Sequence, residues 1–165
     1  MKSHHLGDIN ILVSFALLPA LGTFFVAVGA YDTQSLLMIL PIGLITVAIL
    51  HANNTRDVKT DLQAGLGTIT TSVSLMNAKA IYTFEIFAPY ALALLYVVLL
   101  GQPWTLLAVV LTLPLALRNV RTMIQAEDDL PYRGIQRLDQ TTAQLQMAFG
   151  LLYALGFFLG SWLGA

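Results

Sequence analysis

Read as apolar and polar positions, the chain alternates between long oily runs and short polar breaks. Five runs reach or approach the length of about 20 residues that a helix needs to cross a hydrocarbon core ~30 Å thick. They cover residues 9–30, 35–52, 81–100, 104–120 and 143–163. The fourth is the shortest, its unbroken apolar part stopping near residue 117, so it must draw on its flanks. Pro19, Pro41, Pro89 and Pro114 fall inside runs, where neighbouring helices can satisfy the carbonyls that a missing N–H frees. Between the second and third runs, Leu62, Leu66, Ile69, Val73 and Met76 recur at three- and four-residue steps. That spacing predicts an amphipathic helix over 62–78, lying across one membrane face as a cap. The expected fold class is all-α, a polytopic membrane helical bundle with five transmembrane helices.

Charge placement tests this layout independently of hydropathy. Five alternating spans put the N-terminus and the segments 53–80 and 118–142 on one side. The short loops near 31–34 and 101–103, and the C-terminus, fall on the other. All eight basic residues (Lys2, Arg56, Lys59, Lys79, Arg118, Arg121, Arg133 and Arg137) fall on the first side. The positive-inside rule makes that side cytoplasmic, so the expected orientation is N-terminus in and C-terminus out, in the cell's inner or plasma membrane.

Composition narrows the classes further. The chain is 57% hydrophobic and only 10% charged, against roughly 25% charged in a soluble domain. A formal net charge of −1 offers no basic footprint for nucleic acid. The absence of cysteine excludes disulfides and thiolate metal sites. Met1–Asp8 does not have a signal-peptide layout, so the first run reads as a retained helix.

The candidate chemistry lies at the end of the second run, in HANNTRDVKTD, residues 51–61. If the span continues as a helix through Asp61, then Asn54, Asp57 and Asp61 share one face at offsets of three and four. Arg56 and Lys59 then point elsewhere around the axis. Two carboxylates and an amide oxygen are hard ligands that suit Mg²⁺, which takes one or two carboxylates plus waters and substrate phosphates. Nearby carboxylates repel unless a cation or proton intervenes, so the pair can serve as a metal-mediated clamp for a diphosphate. The competing view is structural, because a helix leaving a membrane needs polar residues and carboxylates four apart arise by chance.

The stretch ILHANNTRDVKTDLQAGLGTIT resembles the second aspartate-rich motif of the UbiA superfamily of intramembrane prenyltransferases. Its NNxRDxxxD form, followed by AG and a Thr, is similar to the branch that prenylates 1,4-dihydroxy-2-naphthoate in menaquinone synthesis. The opening HHLGDINILVSFALLPALGTFF resembles the segment that begins the second half of those enzymes, and the tail from Thr141-Thr142-Ala143 also looks like theirs. The resemblance implies the last five helices of a nine-helix fold around a central cavity with a polar cytoplasmic cap. It implies Mg²⁺-dependent transfer of a polyprenyl group from an isoprenyl diphosphate to an aromatic acceptor, with loss of the acceptor's carboxylate. Asp57 and Asp61 map onto its catalytic acids, and Asn54, Asp57 and Asp61 onto its metal ligands. Asn54, Arg56 and Lys59 are the expected diphosphate contacts, with Arg56 or Lys59 supplying the cation where Leu62 stands in place of the family's usual arginine. The family's first aspartate-rich motif has no counterpart here. The expectation is therefore a fragment, a truncated gene model or half of a split enzyme, inactive without an N-terminal half chain as partner. The alternative is a non-enzymatic membrane subunit or a small ion-coupled transporter, although transporters place coupling acids nearer the midplane.

Other polar residues invite plainer readings. Glu85, in the third run, either faces a cavity or a partner, as an acid at mid-membrane must, or snorkels from the interface to the cytoplasm, the preferred reading. Asp139, with Gln140, Thr141 and Thr142, reads as a cap for the last helix. Glu127, Asp128 and Asp129 read as a solvated loop, and His51 as part of a polar span end. Tyr82, Tyr90 and Tyr96 read as wall residues, and Gly156, Gly160 and Gly164 as a small-residue face for close helix packing.

Overall fold

The computed structural model describes residues 13–14, 18–30, 33–127 and 131–164, without the side chains of residues 20 and 33–36. Described residues form helices and their connections, with no strand among them. In chain order the helices are α1 Leu18–Val28, α2 Thr33–Ala64, α3 Ile69–Ser72, α4 Leu75–Leu100, a 3₁₀ segment Trp104–Thr112 running into α5 Leu113–Ile124, and α6 Leu138–Leu163. Four stretches among the described residues are long and apolar enough to cross a membrane: Leu37–Ala64, Leu75–Leu100, Trp104–Ile124 and Leu138–Leu163. The first expected span, 9–30, lies partly outside the described residues, and α1 is the part of it seen as helix.

The helix ends follow local chemistry. Gly65 takes a left-handed φ of 68° and closes α2. Its N–H donates to the Leu62 carbonyl, and the Leu66 N–H donates to that of Asp61, which together make a Schellman motif. Ser74 caps α4 by accepting from the Asn77 N–H, and Gly101, at φ 62°, ends it. The amphipathic helix expected over 62–78 does not form. Residues 62–64 belong to α2, Gly65 breaks the run, and the short α3 starts behind a Thr68–Thr71 capping box. Alternative caps, at Thr68 and Ser74, outweighed a weak apolar periodicity. The fourth span extends beyond the expected 104–120, to Ile124. Its first nine residues are 3₁₀, which rises about 2.0 Å per residue against 1.5 Å for an α-helix. A short apolar run thereby reaches further.

α2 runs through the bundle against both α4 and α6, and the 3₁₀ segment packs against the same two helices, most closely α6. One buried cluster gathers Ala48, Tyr82, Val120 and Leu138. A second, led by Ile45, Leu106 and Phe149, fills the other half. Pro41 lacks the N–H that would bond the Leu37 carbonyl, and the Tyr96 hydroxyl supplies a donor there at 2.6 Å. Gly156 and Gly160 lie where α6 meets the 3₁₀ segment. A Cβ on Gly156 would stand 2.8 Å from the Thr105 carbonyl oxygen, and one on Gly160 would overlap the Pro103 ring. Gly164 instead ends α6 with φ 68° and nothing nearby, so the small-residue face stops at Gly160.

Candidate functional site

Because α2 is uninterrupted to Ala64, Asn54, Asp57 and Asp61 are carried by one rigid rod within roughly 60° of arc at 100° per residue. All three are half-buried. Asp57 and Asp61 are close enough to repel each other. Asp61 also occupies the last turn, where the negative end of the helix dipole opposes a carboxylate and no basic residue offsets it.

The positive charge comes from Arg56, which does not point away from the acids. Its Nε and Nη2 each donate to one oxygen of Asp57 at 2.8 Å, a bidentate fork. Nη2 also donates to the Asn53 amide oxygen. Nη1 donates at 2.6 Å to Asp139, which lies in the first turn of α6. The cap expected of Asp139 is therefore corrected: Arg137 occupies the cap position with no side-chain bond, and Asp139 ties α6 to the end of α2. Sequence spacing could not reveal this, since the partners are 83 residues apart. Lys59 is exposed on the same helix.

On its other side this edge opens onto a cleft of about 10 Å³, lined by Val47, His51, Asn54, Ile69, Thr70 and Glu85. That is room for about one water. Glu85 does not snorkel: it is 6% exposed and its carboxylate lies 3.4 Å from His51 Nδ1. His51 is equally buried, and its Nε2 has no hydrogen-bond partner. An acid in a membrane span is expensive unless it meets a partner, and the partner here is His51, at the start of the polar motif. Tyr82 donates to or accepts from Thr142 at 2.6 Å, and Tyr90 does the same with Thr112, so these tyrosines brace helices. Glu127 is exposed, whereas Asp128 and Asp129 lie outside the described residues.

Among the described residues no three His, Cys, Asp or Glu side chains gather closely enough to hold a metal alone. The available set, Asp57 and Asp61 with Asn54, matches what Mg²⁺ uses when substrate phosphates and water complete its shell. It does not make a closed protein cage. Asp57, Asp61 and Asp139 set against Arg56 and the outlying Lys59 leave the edge short of positive charge, so its electrostatics favour an arriving cation.

An all-helical bundle of apolar spans with an acid-rich, arginine-bridged helix end defines the class: a polytopic membrane protein with a charged polar edge. The sequence matches the UbiA prenyltransferase family over residues 1–135, and the chain belongs to that family. It is 33% identical over 158 residues to UbiA prenyltransferase domain-containing protein 1 of Gallus gallus, covering 93% of this chain and 44% of that protein. The protein of the same name in Homo sapiens is 32% identical, over 93% of this chain and 43% of its own length. The Drosophila melanogaster homolog is 34% identical, over 90% and 39%. The chain thus spans less than half the length of these relatives.

Proposed function

We propose that the chain takes part in Mg²⁺-dependent transfer of a polyprenyl group from an isoprenyl diphosphate to an aromatic acceptor. The acceptor would be of the 1,4-dihydroxy-2-naphthoate type, in menaquinone or related quinone biosynthesis. The reaction would take place at the cytoplasmic edge of the cell's inner or plasma membrane. Family membership and the prenyltransferase-named relatives support a prenyltransferase-type activity. The observation that carries the finer reading is the unbroken α2, which presents Asn54, Asp57 and Asp61 on one arc beside Arg56.

Asn54, Asp57 and Asp61 would hold Mg²⁺, which when bound draws negative charge off the leaving diphosphate. Arg56 and Lys59 would meet the charge that grows as the allylic C–O bond breaks and its electron pair passes to oxygen. The apolar helix walls below the edge would hold the isoprenyl tail and exclude the water that competes with the acceptor's ring carbon for the allylic cation.

The test is equilibrium binding of a non-hydrolysable isoprenyl thiodiphosphate to the protein in lipid nanodiscs, with a relative's N-terminal half co-expressed. We expect Mg²⁺-dependent binding that falls by about 100-fold or more in Asp57→Ala, about 2.7 kcal/mol. Binding indifferent to Asp57, or no diphosphate binding at all, overturns the reading in favour of a non-enzymatic membrane subunit or an ion-coupled transporter.

A further inference from the structure

A guanidinium carries five N–H donors in one plane. Arg56 spends four of them: Nε on Asp57, both on Nη2 toward Asp57 and Asn53, and one on Nη1 toward Asp139. The remaining donor shares Nη1 with the Asp139 bond. Because the two hydrogens of Nη1 are held at a fixed angle in the guanidinium plane, whatever fixes one fixes the direction of the other. Asp57 sets the plane through its bidentate fork, and Asp139 locks the end from which the spare donor projects.

We propose that Asp139 is a positioning residue for phosphate recognition, aiming the last free N–H of Arg56 at the anion bound along the α2 edge. Asp139 touches no reacting atom; it acts through Arg56. Two observations besides the bond favour this role over simple helix bridging. Asp139 Oδ1 is buried and has no hydrogen-bond partner, so the carboxylate is turned so as to serve Arg56 with Oδ2 while its other oxygen goes unsatisfied. Such an atom is uncommon and calls for an explanation. Second, α6 offers no side-chain cap bond at its start, although an aspartate stands in its first turn, so Asp139 is committed to Arg56 instead of its own helix. A donor oriented before the ligand arrives loses less freedom on binding.

This inference rests on the diphosphate reading above, and the experiment separates the two. The same nanodisc binding assay is run with the isoprenyl thiodiphosphate and with the matching isoprenol, which keeps the tail and lacks the phosphates. We expect Asp139→Asn to weaken thiodiphosphate binding about tenfold, the scale of one charge-assisted hydrogen bond misdirected, while isoprenol binding stays unchanged. Asp139→Glu should recover part of the loss. In an Arg56→Lys background, which has no planar fork to aim, Asp139→Asn should add less than about a twofold further loss. If Asp139→Asn does not fold, Asp139→Ser and the Arg56→Lys cycle carry the same comparison. Equal weakening of both ligands, or full additivity with Arg56→Lys, shows a merely structural role and overturns the proposal. Loss in Asp57→Ala with parent-like binding in Asp139→Asn sinks this inference alone. Parent-like binding in Asp57→Ala sinks the diphosphate reading itself.

Discussion

Two side chains invisible to the local pattern organise the polar end of the bundle. Arg56 bends back along its own helix and joins carboxylates from α2 and α6, and Glu85 meets His51 inside the protein at 3.4 Å. The second pair makes a prediction at this scale. Glu85→Ala removes the acid beside His51 Nδ1 in a ring whose Nε2 is already without a partner. We expect a loss of about 1–3 kcal/mol in stability, read as a lower midpoint of unfolding in detergent. Replacing both residues by leucine should cost less than that, because exchanging both partners of a buried polar contact for apolar groups strands neither of them. An Asp139→Asn variant with an unchanged midpoint and altered diphosphate affinity would separate the two pairs by function.

Among the elements, α6 and the 3₁₀ segment make the closest contact. The 2.8 Å that a Gly156 Cβ would leave to the Thr105 carbonyl oxygen is less than real Cβ atoms tolerate, and Thr105 also donates to the Gly156 carbonyl at 2.6 Å. Gly156→Ala should therefore push backbone from backbone and cost about 1–3 kcal/mol. The expected readout is a lowered thermal midpoint. Gly22, with nothing within 4 Å of its Cβ position, is the control: Gly22→Ala should be neutral or slightly stabilising through helix propensity. Equal effects at the two sites would mean that the contact is not tight. The nine-residue 3₁₀ segment is held on its other side by Tyr90, whose hydroxyl meets Thr112.

At the scale of the whole molecule, the four described spans bury only about a third of their apolar windows. Side chains such as Val98, Leu111, Phe158 and Trp162 face outward. Exposed apolar surface on that scale needs lipid or another apolar partner. The clustering of basic residues favours one orientation, and the absence of cysteine makes it simple to test. Lys59→Cys and Gln102→Cys mark opposite ends of the bundle, since α2 and α4 meet through a short connection near one end and Gln102 follows the other end of α4. In intact cells an impermeant maleimide should label Gln102→Cys and spare Lys59→Cys until the membrane is opened. The reverse pattern would place the polar edge outside.

The helix content, the membrane class and the Asn54–Asp57–Asp61 arc were legible in the amino-acid order alone. Each depends on hydropathy or on spacing within one helix, and such local terms need no knowledge of neighbours. The turn at Gly65 and the helix starts behind Thr68 and Ser74 were local as well, but they competed with a weaker apolar repeat that predicted the wrong helix over 62–78. Tertiary structure alone decided that Arg56 answers to Asp139, that Glu85 turns inward to His51 and that Tyr96 repairs the carbonyl freed by Pro41. Those pairings join residues on different helices, 34 to 83 positions apart in the chain where the partners are Glu85 and His51 or Arg56 and Asp139. Only packing in three dimensions brings such groups together, and the cost of burying a polar group far from any partner favours an arrangement that sets one beside it.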